Sequence, residues 1–199
     1  MKEHLEFEDK KTEDKVLDAA LRIVKDKTIS GTRMHLIAEE ANMVQSNVHY
    51  YFKTKNDLMI ALQRKVLHRC IEIRKKISLN CTDSLESQLD TFFKQKLDFI
   101  LEEKEYDYAE IDFWIQGRIN EPMRKEFCKS FEGWREEIGV LLDKYVPDLA
   151  KEKRQYIPYM LVSMLEGASL QYLIDEDSFD IIAYFDFCKK QVLRAVYEK

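Results

Sequence analysis

Apolar residues recur at intervals of three and four positions along most of this chain, a period typical of amphipathic helices. The first helix is predicted over residues 14–27, on the apolar stripe Val16, Leu17, Ala20, Leu21 and Val24. It is predicted to end at Ile29-Ser30-Gly31, because glycine weakens a helix. Residues 1–11 are mostly polar and are predicted to form a flexible tail.

Two short helices follow, joined by a tight turn. Thr32 is predicted to cap the first of them, since its hydroxyl can accept a free backbone N–H. Asn42 suits the turn because asparagine tolerates the left-handed backbone conformation. The second short helix is predicted over residues 44–52, with Val48 and Phe52 on its inward face.

Longer helices account for the remainder of the chain. One is predicted over residues 55–78, with Thr54 as its cap. Pro158 is placed in the first turn of its helix, where proline costs little, and Ser178 is predicted to cap the last helix. The later helices are predicted within residues 83–105, 106–119, 123–145, 155–174 and 179–197.

The predicted fold class is all-α, with about nine helices. From Thr32 to Gln116 the sequence has neither glycine nor proline, which the turns of a β-rich protein would need. An N-terminal three-helix helix-turn-helix domain is predicted at residues 12–58. The long helix at 55–78 would link it to a C-terminal helical bundle at residues 79–199.

Composition and motifs exclude several classes of protein. The 199 residues are 45% hydrophobic, which suits a globular protein rather than a disordered one. A secretory signal and a membrane-spanning stretch are both absent, so we expect a cytoplasmic protein that does not contact membranes. Cysteines and histidines lack metal-ligand spacing, and common nucleotide-binding and hydrolase motifs are missing, so no metal, cofactor or enzymatic activity is expected.

Charge is unevenly distributed along the chain. The net charge is −5, yet residues 28–76 hold nine basic and four acidic residues, which gives +5 and leaves −10 for the remainder. A basic segment attached to an acidic body is typical of a protein that binds nucleic acid through one part only.

The two short helices have the chemistry of a helix-turn-helix, whose second helix enters the DNA major groove. Gln and Asn side chains pair bidentately with adenine, and Ser bonds to any base edge. Residues of these types lie on the outer side of the second helix, which carries Gln45, Ser46, Asn47, His49 and Tyr50. Thr32, Arg33 and Lys55 flank this helix, where they suit backbone phosphates.

These residues resemble the DNA-binding domain of the TetR (tetracycline-repressor) family. The resemblance is carried by Ile37-Ala38-Glu39-Glu40-Ala41-Asn42-Met43 and by Val48-His49-Tyr50-Tyr51-Phe52-Lys53-Thr54-Lys55-Asn56-Asp57-Leu58, and it covers residues 12 to about 60. The C-terminal run Met164-Leu165-Glu166-Gly167-Ala168 is more weakly similar to the eighth helix of the family.

The resemblance implies a role for each matching residue. Gln45, Ser46 and Asn47 would read base edges, while Tyr51 and Phe52 would pack the core of the small domain. Phosphate contacts are implied for Thr32, Arg33, His49, Tyr50 and Lys55. Two departures from the family pattern bear on these roles: Val44 stands where a capping Ser or Thr is usual, and His49 replaces a Tyr.

The C-terminal bundle is rich in aromatic residues, and the resemblance implies a ligand pocket within it. Aromatic and Met side chains suit a small lipophilic or aromatic effector. Core packing is the other interpretation of the same residues. The pocket candidates are Phe93, Phe113, Trp114, Arg118, Phe127, Phe131, Trp134, Tyr159 and Met160.

The last two helices carry apolar residues on more than one face, which fits a four-helix interface between two copies of the chain. The candidates for that interface are Leu161, Met164, Leu165, Ala168, Phe185 and Val192. We therefore expect a transcriptional regulator that binds a double-stranded, near-palindromic operator as a homodimer, and acts as a ligand-responsive repressor. The alternative is a dimeric helical DNA-binding regulator with no small-molecule effector.

Overall fold

A computed structural model describes the backbone of residues 2–198 and the side chains of residues 9–198. Within residues 2–198 the chain forms nine helices and no strand, which confirms the predicted all-α class. The helices are α1 Lys2–Gly31, α2 Met34–Glu40, α3 Gln45–Tyr51, α4 Lys55–Ser78, α5 Leu85–Leu101, α6 Lys104–Gly117, α7 Glu121–Tyr145, α8 Lys151–Ile174 and α9 Ile181–Tyr197.

The first helix is longer than predicted at one end and interrupted at the other. It begins at Lys2, so the boundary predicted near Thr12 is wrong, and most of the predicted tail is helical; Met1 lies outside the described residues. The tail is rich in Lys and Glu, which are good helix formers. Thr28 has φ 58° and ψ 168° and breaks the regular helix where an end was predicted.

One compact unit comprises the residues up to His68 together with residues 108–126. Its α2 packs on both α1 and α3. Val48 and Phe52 are buried, as predicted. Asn42 has φ 52°, the left-handed conformation predicted for the turn. The turn is closed by three backbone hydrogen bonds of 2.9 Å, donated by the N–H groups of Ala41, Asn42 and Met43.

The predicted helix caps have mixed outcomes. Thr54 Oγ1 accepts the Asp57 N–H at 3.1 Å, and the Asp57 carboxylate accepts the Thr54 N–H at 3.1 Å, so the predicted cap of α4 is confirmed as a reciprocal pair. Ser178 is not the cap of α9. Asp180 holds that position because its carboxylate accepts the Ala183 N–H at 3.0 Å.

A second compact unit comprises residues 69–107 and residues from 127 onward. Helices α5, α8 and α9 pack on one another in it. Helix α8 begins at Lys151 rather than at Gln155, so Pro158 lies inside the helix and not in its first turn. Its neighbours Ile157 and Leu161 are buried, and this apolar packing offsets the hydrogen bond that the proline removes. No helix among the described residues is long and apolar enough to cross a membrane.

Candidate nucleic-acid interface

Helix α3 is sharply two-sided. Val48 is fully buried, and it fixes the inward face of the helix against the rest of the first unit. Gln45, Ser46 and Asn47 are all exposed, and the Tyr50 side chain is 67% exposed. Four of the five predicted outward residues are therefore exposed on α3, and we call the surface formed by Gln45, Ser46, Asn47 and Tyr50 the α3 face.

The N-terminal end of α3 carries no side-chain cap. Val44 occupies the N-cap position with φ −77° and ψ 146°, makes no side-chain cap hydrogen bond, and is 63% exposed. A valine side chain cannot accept a backbone N–H. The Val44 carbonyl accepts the Asn47 N–H at 2.9 Å, so the N–H groups of Gln45 and Ser46 are the ones that remain available to an external acceptor. Phosphate oxygens are acceptors of this kind, and they are favoured at helix N-termini.

His49 is half-buried and is tied to its surroundings. Its Nε2 lies 3.3 Å from the Gln45 amide nitrogen, and its Nδ1 lies 3.3 Å from the Lys53 carbonyl oxygen. Gln45 and His49 are four residues apart and so lie on the same side of α3. The contact orients the Gln45 side chain, a positioning role that the sequence alone did not indicate.

The predicted phosphate contact at Thr32 is wrong, as is its predicted role as N-cap. The side chain is fully buried, and its hydroxyl donates to the Thr28 carbonyl at 2.8 Å, so it cannot reach DNA. Arg33 takes the N-cap position instead, without a side-chain cap. Thr32 stabilises the interrupted end of α1, where the Thr28 carbonyl also accepts the Thr32 N–H at 3.1 Å.

Two predicted basic residues lie close to the junction between α1 and α2. Arg33 is exposed, and its Nη1 donates to the Ser30 carbonyl at 2.8 Å and to the Thr32 carbonyl at 3.0 Å. Lys55 donates from Nζ to the Ile29 carbonyl at 2.6 Å. Burial, reinforced by the positive charge of Arg33, lowers the pKa of the Lys55 ammonium. Lys55 therefore holds the junction together as well as adding positive charge.

Sequence reasoning missed a carboxylate that completes this junction. The Asp112 carboxylate accepts the Ile29 N–H at 2.6 Å, so Ile29 is held through its N–H by Asp112 and through its carbonyl by Lys55. Burial raises the pKa of Asp112, and the hydrogen bond from Ile29 opposes that shift. The two residues are 83 positions apart in the sequence, and no local pattern indicates the contact.

We expect Asp112→Ala to destabilise the first unit by about 1–3 kcal/mol, because the buried Ile29 N–H loses its acceptor. Asp112→Asn retains an acceptor oxygen and should cost clearly less. Urea denaturation followed by helical circular dichroism at neutral pH measures both losses. Equal losses in the two variants would show that the carboxylate does not act as an acceptor for Ile29.

Lys53 is a second residue missed as a contact. It directly follows α3, is exposed, and places Nζ 6.0 Å from the centre of the Tyr50 ring. Its charge and its position next to the predicted helix were visible in the sequence. Together with Arg33 it supplies exposed positive charge beside the α3 face, the arrangement that backbone phosphates require.

Comparison with known proteins identifies this arrangement. The profile of the bacterial regulatory proteins of the tetR family matches residues 16–62, which include α2, α3 and the start of α4. Residues 16–62 are a TetR-family DNA-binding domain. The chain is therefore a DNA-binding transcriptional regulator.

One relative and two solved structures are similar to this chain over most of its length. An uncharacterised HTH-type transcriptional regulator in the dhlA 5′ region of Xanthobacter autotrophicus is 28% identical over 172 residues, 85% of this chain and 84% of that protein. A TetR transcription regulator from Haloarcula marismortui has a TM-score of 0.79 at 16% identity, covering 94% of this chain and 97% of that one. A protein from Saccharomonospora viridis, crystallised in complex with choline, has a TM-score of 0.84 at 14% identity, covering 96% and 100%. These two structures share the fold.

The predicted pocket residues are divided between the two compact units. Phe113, Trp114 and Arg118 lie in the first unit, and the other six lie in the second. Several of the six are core residues that pack on other aromatic rings, with centroid separations of 5.6 Å for Phe93–Phe185, 6.0 Å for Phe127–Phe131 and 6.3 Å for Trp134–Phe92. Arg118 and Tyr159 are exposed, and Met160 is half-buried.

The predicted dimer residues also lie largely in the core of the second unit. Leu161, Leu165, Ala168, Phe185 and Val192 are buried within the chain, and Met164 is half-buried. A side chain that is already buried adds no new area to an interface, so the five buried residues are reassigned to the core, and Met164 stays a prediction. Helices α8 and α9 carry exposed apolar side chains elsewhere, at Tyr156, Tyr159, Leu170, Leu173, Ile174, Ile182, Phe187 and Tyr197.

Proposed function

We propose that this TetR-family regulator places the α3 face of each of two copies in successive major grooves of a near-palindromic operator. The observation that carries the proposal is the two-sided helix, with Val48 buried and Gln45, Ser46 and Asn47 exposed. Gln45 and Asn47 would pair with adenine edges, and Ser46 would bond to a neighbouring base.

Phosphate contacts in this proposal come from around the α3 face. Arg33, Lys53 and Tyr50 are exposed and would bind backbone oxygens on either side of the groove. His49 would act mainly by orienting Gln45, since its Nδ1 donates to the Lys53 carbonyl and its Nε2 accepts from the Gln45 amide. Lys55 would act mainly by holding the junction at Ile29, since its ammonium already donates there.

Homodimer formation is proposed through the exposed apolar faces of α8 and α9. Tyr156 and Ile174 on α8, and Phe187 and Tyr197 on α9, are each more than half exposed. Apolar side chains of this size on adjacent helices suit a second copy of the same chain, related by a twofold axis. A twofold dimer also matches the symmetry of a near-palindromic operator.

Response to a small molecule is the remaining part of the proposal, with repression as the expected default. Helix α4 is continuous from Lys55 to Ser78, so a ligand bound at its C-terminal half would act on the helix that begins beside the α3 face. Such a ligand must bind one conformation better than another to release DNA. The choline complex of the Saccharomonospora viridis protein, which shares the fold, supports this part by analogy.

Selection of bound sequences from random double-stranded DNA tests the proposal. We expect two inverted half-sites whose centres lie about 10 base pairs apart, or a multiple of that spacing. Sedimentation of the free protein at micromolar concentration should give the mass of two chains. Recovery of unrelated sequences, or binding by a single chain to a single half-site, would contradict the proposal.

A further inference from the structure

The second unit contains a cavity of about 610 Å³ between α4, α5 and α7. Its size lies within the range of cavities that hold small organic ligands. Much of its wall is apolar and is formed by Ile71, Phe92, Val140 and Leu141. Ile71 and Val140 are exposed although they are aliphatic, and Val140 is 65% exposed. None of the nine pocket residues predicted from the sequence is among those that line this cavity.

One charged side chain at the cavity is almost entirely buried. Arg74 is 7% exposed, and its guanidinium carbon lies 4.8 Å from the centre of the Phe92 ring and 5.2 Å from the centre of the Trp134 ring. Aromatic rings over the planar group favour the cation and restrict its movement. They leave the edge of the guanidinium, where the N–H groups lie, for hydrogen bonding.

The N–H groups of the Arg74 guanidinium are only partly hydrogen-bonded. Both oxygens of Glu137 lie on the same nitrogen, with Nη2 at 3.0 Å from Oε1 and 2.9 Å from Oε2. Nη1 is buried and has no hydrogen-bond partner among the described residues. A buried, unpaired donor of a charged group is costly, and Arg74 lines the cavity. Nη1 of Arg74 therefore lacks a hydrogen-bond acceptor.

We propose that this cavity binds a small organic monocarboxylate with an apolar body, and that Arg74 holds the carboxylate. The acid would accept N–H groups from Nη1 and Nη2 side by side, the paired geometry in which arginine recognises carboxylates. Its alkyl or aryl part would lie against Ile71, Phe92, Val140 and Leu141. The proposal rests on the proposed function, and it names the chemical class of the effector.

The ion pair between Arg74 and Glu137 would be present without the ligand and absent with it. The Glu137 side chain is 55% exposed, so it can leave Arg74 for water at little cost. An incoming carboxylate would then replace the ion pair that joins Arg74 on α4 to Glu137 on α7. The ligand would therefore bind more tightly to a conformation in which Arg74 and Glu137 are already apart. This difference in affinity between two conformations is what ligand-induced release of DNA requires.

Isothermal titration calorimetry with matched probes tests the chemical class. The acids are 4-phenylbutanoate and octanoate, and the controls are 4-phenylbutanamide and 4-phenylbutan-1-amine, which share the apolar body of the first acid. We expect at least one acid to bind at one site per chain, with the amide and the amine at least about tenfold weaker. Equal binding of acid and amide, preference for the amine, or no binding of either acid would overturn the proposal.

Variants test the assigned residues. We expect Arg74→Met to weaken acid binding by at least about tenfold, Arg74→Lys to weaken it less, and Glu137→Gln to strengthen it because the internal competitor is gone. Lys76→Met is the matched control, since Lys76 is exposed on the same helix but is not among the residues that line this cavity. It should change binding by no more than about twofold, as expected for an exposed charge.

Circular dichroism shows whether Arg74→Met folds. If it does not, acid binding is compared in Arg74→Lys and Glu137→Gln, and unchanged acid binding in both variants overturns the proposal.

Measurement of operator binding separates this inference from the proposed function. Operator binding is measured for every variant without ligand. Intact operator binding with no acid binding would refute the effector class alone, whereas acid binding without operator binding would refute the proposed function alone.

Discussion

Replacing Asn47 with alanine is expected to lower affinity for the selected operator by about tenfold to a hundredfold, the cost of losing one bidentate base contact. The Asn47 side chain is exposed on α3, so the substitution should leave the fold unchanged. Gln45→Ala should have an effect of similar size, increased by the loss of its contact with His49. Fluorescence anisotropy at fixed salt concentration, on the operator and on a shuffled duplex, measures both.

The comparison between the two duplexes distinguishes recognition of base edges from nonspecific binding to the DNA backbone. Alanine at position 47 should reduce binding to the operator and leave binding to the shuffled duplex almost unchanged, because nonspecific affinity comes from phosphate contacts. Lys53→Ala should weaken both. Gln155→Ala is the matched control, since Gln155 is an exposed amide on α8 in the second unit. Unchanged operator affinity in both the Asn47 and Gln45 variants would refute the assignment of α3 as the reading helix.

The local features of the DNA-binding unit were predictable because they depend on neighbours in the sequence. The period of apolar residues placed Val48 inward, and the left-handed preference of asparagine placed the turn at Asn42. The position of Thr54 directly before the predicted helix at 55–78 indicated its cap. The same rules misplaced Thr32, because its hydroxyl had an alternative partner in the Thr28 carbonyl at a backbone interruption.

Local sequence patterns do not predict contacts between segments that are distant in the sequence. Asp112 and Ile29 meet across 83 positions, and no periodicity relates them. The same limit explains the dimer and pocket predictions. Two apolar faces on one helix indicate that both faces are buried in the functional protein. They do not indicate which face packs within the same chain and which packs against a second copy. Leu161 and Val192 were therefore assigned to a partner although they are buried in their own unit.

Arg74 shows a related limit at the cavity. In the sequence it begins the run Arg74-Lys75-Lys76 at the end of a long helix, a pattern typical of a solvated surface. Lys75 and Lys76 are indeed exposed, whereas Arg74 is buried against Phe92 and Trp134. The rings that bury it come from α5 and α7, so only the assembled second unit distinguishes it from its neighbours.

Lys96→Met is expected to destabilise the second unit by about 3–5 kcal/mol, the cost of removing one partner from a buried ion pair. Lys96 is fully buried on α5, with Nζ 2.8 Å from the Glu166 carboxylate and 3.6 Å from that of Asp107. Its ammonium also lies 5.3 Å from the centre of the Phe99 ring. Without it, two buried carboxylates would face each other with no cation between them.

The pH dependence of that loss is a sharper test than its size. Burial already raises the pKa of Glu166, with Lys96 opposing the shift, so removal of Lys96 should raise it further. The folded variant then binds a proton more tightly than the unfolded chain does, and its stability should increase as the pH falls from neutral. Adding Glu166→Gln to Lys96→Met removes one buried charge and should restore a large part of the stability at neutral pH. Urea denaturation of both variants between pH 5 and 8, roughly the range of maximal stability of folded proteins, provides the measurement. If Lys96→Met loses the same stability throughout, with no recovery in the double variant, the buried cluster contributes packing rather than charge balance.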